Sequence, residues 1–165
     1  MAISAVAKNF RDGTLTLEDA TGSPITCVVQ YENGDFSLAN LKQGGKEINK
    51  YEDRGDFFSA RKTTTAYPSF SFTAIFTDLS DGTEKTLVDA CLKQGAYAAG
   101  VSTLGANADV WALTATFVVA GTSLGDTANH TIVLNNCVFT DVSISEGDPD
   151  SFSISGEVLG SVVMT

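Results

Sequence analysis

The run Ser69-Phe70-Ser71-Phe72-Thr73-Ala74-Ile75-Phe76-Thr77-Asp78 sets the architecture. Phe70, Phe72 and Phe76 share one side with Ala74, while Ser69, Ser71, Thr73 and Thr77 share the other, interrupted only by Ile75. A period of two is the pattern of a half-buried strand, here with an aromatic face for a core and a small, hydroxyl-bearing face outside it. Upstream, Thr14-Leu15-Thr16-Leu17 and Ile25 to Tyr31 alternate in the same way and flank the turn cluster Thr21-Gly22-Ser23-Pro24. Asn33-Gly34, between Tyr31 and Phe36, predicts a two-residue hairpin turn, because Asn and Gly tolerate positive φ cheaply. Its expected second strand runs from Asp35 to Leu41.

Between that strand and Ser69 the periodicity stops. Residues 43–65 are charged and irregular, far longer than an ordinary connection, and read as an extended loop. Downstream, Asp81 with Glu84 three residues on resembles a capping box, and Leu87, Val88, Cys91 and Leu92 form an apolar stripe ending before Gly95. A helix over 82–94 follows. Further strands are expected near Val110 to Ala120, Thr131 to Glu146 and Ser151 to Val163, the middle one bent or broken around Asn135-Asn136. The whole reads as a single domain, residues 1–165. It is mainly β: an antiparallel β-sandwich or barrel with one flanking α-helix and a long loop between two strands.

Charge is more informative by position than in total. The chain of 165 residues carries a formal net charge of −10. Lys42, Lys46, Lys50, Arg54, Arg61 and Lys62 are opposed locally by Glu47, Glu52, Asp53 and Asp56, so the arm is +6 − 4 = +2 and the rest is −12. After Lys93 there is no Lys or Arg at all. Such a balance disfavours holding nucleic acid, which needs clustered Lys and Arg. A basic arm on an acidic body reads either as a solvated loop on a soluble domain or as self-complementarity, which would fix register between copies more than it adds affinity. No apolar run approaches the roughly 18 residues of a membrane span. Cys27, Cys91 and Cys137 are odd in number, lack metal-ligand spacing, and read as buried reduced thiols.

Chemistry is thin. His130 is the sole histidine, no Gly-x-Ser-x-Gly elbow surrounds a serine, and the glycines form neither a phosphate loop nor a dinucleotide fingerprint. Glu146, Asp148 and Asp150 lack the spacing of a calcium loop and fit a hairpin turn of Asp and Pro. Trp111 reads as a core or edge anchor. The expectation is no catalytic residue, no metal and no cofactor.

The entry Leu15-Thr16-Leu17-Glu18-Asp19 before a Thr-Gly-Ser-Pro turn, the hairpin Tyr31 to Ser37, the long loop, the mid-chain helix, and the ending Val142-Ser143-Ile144-Ser145-Glu146-Gly147-Asp148-Pro149-Asp150-Ser151-Phe152-Ser153-Ile154-Ser155 together resemble the major tail tube protein of long-tailed, siphovirus-type bacteriophages. Ala20 stands where that family's turn would have glycine. The resemblance implies a virion structural protein assembled in the bacterial host cytoplasm, six copies to a ring. Its rings stack into a tube through which double-stranded DNA passes without sequence-specific binding. Partners would be further copies of itself and the tape-measure, tail-tip and tail-terminator proteins, with no membrane. On this reading Lys46, Lys50, Arg54, Phe57, Phe58, Arg61 and Lys62 form an inter-ring contact. Ser37, Ser71, Thr73 and Thr77 face the lumen, and Asp141, Glu146, Asp148, Asp150 and Glu157 offer the acidic partner surface. The alternatives are the inner tube of a contractile injection or type VI secretion system, a stand-alone β-sandwich decoration or adhesion module, and, last, an unrecognised hydrolase.

Overall fold

The computed structural model describes residues 13–29, 35–77, 79–80, 83, 85–121 and 128–165. Ten strands are described: β1 (Gly13–Glu18), β2 (Thr26–Val29), β3 (Ser37–Ala39), β4 (Lys46–Asp53), β5 (Asp56–Thr65), β6 (Ser69–Ile75), β7 (Leu113–Val119), β8 (His130–Ser145), β9 (Ser151–Val158) and β10 (Val162–Met164), with one short helix, α1 (Leu87–Leu92). Eight strands form one antiparallel sheet ordered β2-β1-β7-β8-β9-β6-β3, with β10 also on β8, and β4 pairs only with β5. The mainly antiparallel β class with a single helix is as the alternation predicts.

The sheet folds over on itself. Phe36, at the entry to the β3 edge, stacks on Phe117 of β7 with ring centroids 5.0 Å apart, so the two halves of the strand order, on either side of β8, face each other. The hinge is β8, sixteen residues long, whose first half pairs with β7 and whose second half pairs with β9. Its register shifts between Leu113 and Ala115 on the partner strand, and Asn136 sits at φ 58°; a second shift follows Phe139. Bulges of this kind bend a strand so that it can serve two layers. The bend expected at Asn135-Asn136 is therefore the corner of the sandwich.

Between the layers lie Leu15 and Leu17 of β1, Phe70, Phe72 and Ala74 of β6, Leu113, Ala115 and Phe117 of β7, and Phe152, Ile154 and Val158 of β9, all buried. The predicted aromatic face of β6 is thus core. Phe76 lies beyond the strand but still stacks on Phe152, 4.9 Å between centroids. Asp19 organises the β1–β2 turn from a buried position, accepting hydrogen bonds from Ile25 N (2.7 Å), Val101 N (3.0 Å) and Thr21 Oγ1 (3.0 Å). Trp111 is an anchor: its Nε1 donates to the Ala90 carbonyl at 2.7 Å, tying α1 to the body.

Three expectations change. Residues 43–65 are not an irregular loop but the regular β4–β5 hairpin, entered by a single 3-10 turn at Gln43–Gly45. The helix spans Leu87–Leu92 instead of 82–94. Its cap is Thr86, whose hydroxyl accepts from Asp89 N at 3.2 Å, and the αL residue ending it is Lys93, before Gly95. Asp81 and Glu84, the expected cap pair, lie outside the described residues. Finally, the strands on either side of Asn33-Gly34 do not pair with each other. β2 pairs with β1 and β3 with β6, at opposite ends of the sheet, while Asn33 and Gly34 themselves lie outside the described residues.

Candidate assembly surfaces

The outer face of β3, β6, β9 and the second half of β8 is a ladder of small polar side chains. The register puts Ser37, Ser71, Ser155 and Asp141 in one row, Thr73, Ser153 and Ser143 in the next, and Ser69 beside Glu157. Strand alternation explains this, since the opposite face holds Phe70, Phe72, Phe152 and Ile154. Hydroxyls find local partners: Thr140 Oγ1 donates to the Ser155 carbonyl at 3.3 Å and Ser143 Oγ to the Ser153 carbonyl at 3.4 Å. No lysine or arginine stands on these strands. Of the four hydroxyl residues singled out in the sequence, Ser37, Ser71 and Thr73 belong to the ladder; Thr77 lies past the end of β6 and does not. Ser143, Ser153 and Ser155 were missed, although their alternation with Val142, Ile144, Phe152 and Ile154 carries the same signal.

Both edges of this four-stranded unit are open among the described residues. β3 has β6 on one side only, and β8 beyond Cys137 has only β9, because β7 begins at Leu113 opposite Cys137. An open edge presents unpaired N–H and C=O groups and invites another strand.

The β4–β5 hairpin is the second surface. Almost every residue in it is exposed, including Ile48, Tyr51, Phe57 (69%) and Phe58 (75%). A lone two-stranded hairpin is marginal in water, and this one lays neither face against its own domain. Its turn, Arg54-Gly55, takes φ 54° and 90°, the left-handed pair that a tight hairpin requires. Near it Tyr51, Phe58, Ser59 and Arg61 surround a shallow concavity of about 290 Å³. Charge is sorted along the hairpin. Lys46, Lys50, Arg61 and Lys62 occupy the stem, where Lys46 Nζ donates to Thr65 Oγ1 at 2.7 Å. Glu52, Asp53, Arg54 and Asp56 occupy the tip, which is −3 + 1 = −2. A count over the whole arm conceals this polarity.

The five acidic candidates do not make one surface. Asp141 and Glu157 stand on the ladder, whereas Glu146, Asp148 and Asp150 crowd the β8–β9 turn. All five are exposed. In that turn Asp150 Oδ1 accepts from Gly147 N at 2.8 Å, and the Asp148-Pro149 peptide is cis. Asp35 joins Asp148 and Asp150 around a hollow of about 290 Å³ shared with Thr73, and its carboxylate accepts from Thr73 N at 3.0 Å. Nothing in its sequence neighbourhood marks Asp35 for this place. The register sets direction: Ser69 and Glu157 lie at the hairpin end of β6 and β9, while Ile75, Ser151 and Ser145 lie at the acidic-turn end. The hairpin root and the acidic turn are therefore at opposite ends of the ladder.

Cys27, Cys91 and Cys137 are buried free thiols. Burial, with the nearby Asp89 charge, pushes the Cys27 thiol up to about 11. Burial pushes Cys137 to about 12 against a smaller opposing hydrogen bond from the Ala115 backbone, and Cys91 higher still. None is disposed to act as a nucleophile at neutral pH. No described helix is long and apolar enough to cross a membrane.

No protein-family model matches the chain, and no curated protein matches its sequence. Solved structures do match in fold over the full length. One is a chain of the sheath/tube terminator of an extracellular contractile injection system, PVC, in its extended state, with TM-score 0.60 and 12% identity over 99% of each chain. Another is a chain of the six-fold symmetrised baseplate of the anti-feeding prophage, AFP, with TM-score 0.56 and 9% identity over 100% of this chain and 97% of that one. At such identities the likeness is one of fold: this chain shares the fold of those two chains.

Proposed function

We propose that the chain is a non-enzymatic structural subunit of a phage-tail-like particle, polymerising as stacked six-membered rings into a hollow tube. The observation that carries this reading is the four-stranded unit β3-β6-β9-β8, aromatic on one face, hydroxyl and acidic on the other, and open at both edges among the described residues. If six copies joined edge to edge, about 24 strands at ~4.8 Å would give a circumference of roughly 115 Å and a backbone diameter of about 37 Å before tilt widens it. Ser37, Ser71, Thr73, Ser153 and Ser155 would line the lumen. With Asp141 and Glu157 among them and no cation, such a wall repels phosphate, so a passing DNA duplex slides instead of sticking. Edge pairing also removes the aggregation hazard of the free strands.

The uncovered hairpin supplies the ring-to-ring contact, with Phe57 and Phe58 as anchor and the basic stem residues Lys46, Lys50, Arg61 and Lys62 facing a neighbour's carboxylates. Placing the hairpin root and the acidic β8–β9 turn at opposite ends gives the subunit the head-to-tail polarity that stacking needs. The particle is that of a long-tailed phage or of a contractile injection system. The fold likeness to PVC and AFP chains supports the latter, in which a sheath and tail-terminator or baseplate proteins would replace some phage partners. Electron microscopy of concentrated purified protein tests the proposal. Rings or tubes with six-fold symmetry are expected; a sample that stays monomeric up to millimolar concentration overturns it.

A further inference from the structure

The hairpin tip has a counterpart on the same chain that it cannot reach. At the hairpin root a groove of about 600 Å³ opens between residues 41–45, 65–68 and 158–164. Its walls include Leu41, Tyr67, Val158, Leu159, Val162 and Met164, of which Leu41, Tyr67, Leu159 and Met164 are substantially exposed. Its border is net basic, with Lys42, Lys46 and Lys62 against the single carboxylate of Glu47, which lies 3.9 Å from Lys42 Nζ. Lys42 lines it, Lys62 Nζ lies so close to Gly44 of the wall that a Cβ there would meet it at 2.5 Å, and Lys46 reaches Thr65 of the wall. The tip offers the opposite on both counts, with Phe57 and Phe58 uncovered and a local charge of −2.

Eight extended residues in β4 separate root from tip by roughly 24 Å, so a chain's own tip stays clear of its own groove. We propose that the groove at the hairpin root receives the Phe57-Phe58 tip of a second copy, with Glu52, Asp53 and Asp56 set against Lys42, Lys46 and Lys62. This rests on the self-assembly proposed above and names the pair of surfaces that meet. Because tip and root are different surfaces, the contact is heterologous and repeats from copy to copy, closing a ring or continuing a helix according to its angle. Two aromatic side chains bury about 300–500 Å². That is too little for a stand-alone complex, so the tip acts as a lock on copies also joined through their sheet edges.

The test pairs Asp56→Cys at the tip with Ser161→Cys in the groove, both exposed, in a chain whose native thiols are buried. Assembled double variant is oxidised and run without reductant. A ladder of linked multimers, absent from either single variant, is expected; tubes without a ladder overturn the proposal. A cross-link from position 161 to a second tail protein in place of the ladder also overturns it, since the groove then takes that partner. As a second arm, Leu159→Trp fills the groove from its rim. The concentration needed for tubes should rise at least about tenfold, or roughly 1.4 kcal/mol, at an unchanged unfolding midpoint, whereas wild-type assembly overturns the proposal. Wild-type protein that never assembles under any condition is a different result, and removes the assembly reading itself along with the tip contact.

Discussion

The ring of Phe70 occupies the space that a side chain on Gly156 would need: a Cβ there would stand 2.6 Å from Phe70 Cζ and 2.3 Å from the Val138 carbonyl oxygen. Gly156 faces Phe139 across the β8–β9 ladder, and Phe139 meets Phe70 edge-on at 5.7 Å. The glycine thus lets two aromatic rings close over the backbone where β8 bulges. Gly156→Ala should destabilise the fold by about 1–3 kcal/mol, since neither a strand carbonyl nor a packed ring can yield cheaply. Urea unfolding measures it, and an unchanged midpoint would show that the ladder can shift.

Asp19 is the other point on which the body depends. Its buried carboxylate accepts from the part-buried amides of Ile25 and Val101 and from the Thr21 hydroxyl, which also reaches the Ser23 carbonyl at 2.7 Å. Asp19→Ala leaves those amides unpaired and should cost about 2–4 kcal/mol. A loss below about 0.5 kcal/mol would mean that the β1–β2 turn holds without it.

Which parts of this were readable in advance follows from what each segment buries. β6 and β1 alternate because one face meets the core, so their residues announced both strand and facing. Asn135-Asn136 announced the corner because few side chains other than Asn accept positive φ. The β4–β5 hairpin buries neither face in its own chain, so selection for a core imposes no period on Lys46 to Asp53 and the segment reads as loop. Strand partners were not legible either. The signals at Asn33-Gly34 are local, whereas the partners of β2 and β3 come from distant sequence, β1 and β6. The helix start was misplaced because Asp81 with Glu84 imitates a capping box, while Thr86 caps alone. The acidic end lacked Asp35 for the same reason: Asp35 and Asp150 line one hollow from distant parts of the chain, a proximity that leaves no sequence periodicity.

The thiols give a pH dependence. An unfolded cysteine ionises near 9.0, while burial holds Cys27 protonated to about 11 and Cys137 to about 12. Folding therefore binds protons in this window. The contribution is fully present below pH 9 and is lost as pH rises through 11 and 12. Unfolding midpoints should fall progressively above pH 9, and a bulky thiol reagent at pH 8 should label native protein far more slowly than unfolded protein. Rapid native labelling of all three cysteines would contradict their burial.

Replacing Phe57 and Phe58 together by Ser separates folding from assembly. Both side chains are mostly exposed and the hairpin stands apart from the core, so the unfolding midpoint should move by no more than about 0.5 kcal/mol. Tubes should be lost, because the contact centre is where binding energy concentrates. Sedimentation and negative-stain microscopy read the two effects independently. Normal tubes from the double variant would exclude the aromatic pair as the anchor.

The direction of the hydroxyl ladder is the remaining structural question, and Ser71 answers it. It lies in the middle of the row Ser37, Ser71, Ser155 and Asp141, and is exposed in the single subunit. In the free subunit Ser71→Cys should therefore label as fast as Asp109→Cys, an exposed control placed away from the ladder. Inside a tube the two positions part. A reagent carried on a polymer much wider than the roughly 37 Å backbone diameter should reach position 109 and be excluded from position 71, while a small maleimide enters and labels both. Equal labelling of both positions by the wide reagent in intact tubes would put the ladder on the outside. The acidic residues Asp141 and Glu157 would then face solvent or a surrounding sheath instead of the passing cargo, and the phosphate-repelling wall would have to be sought on another face of the sandwich.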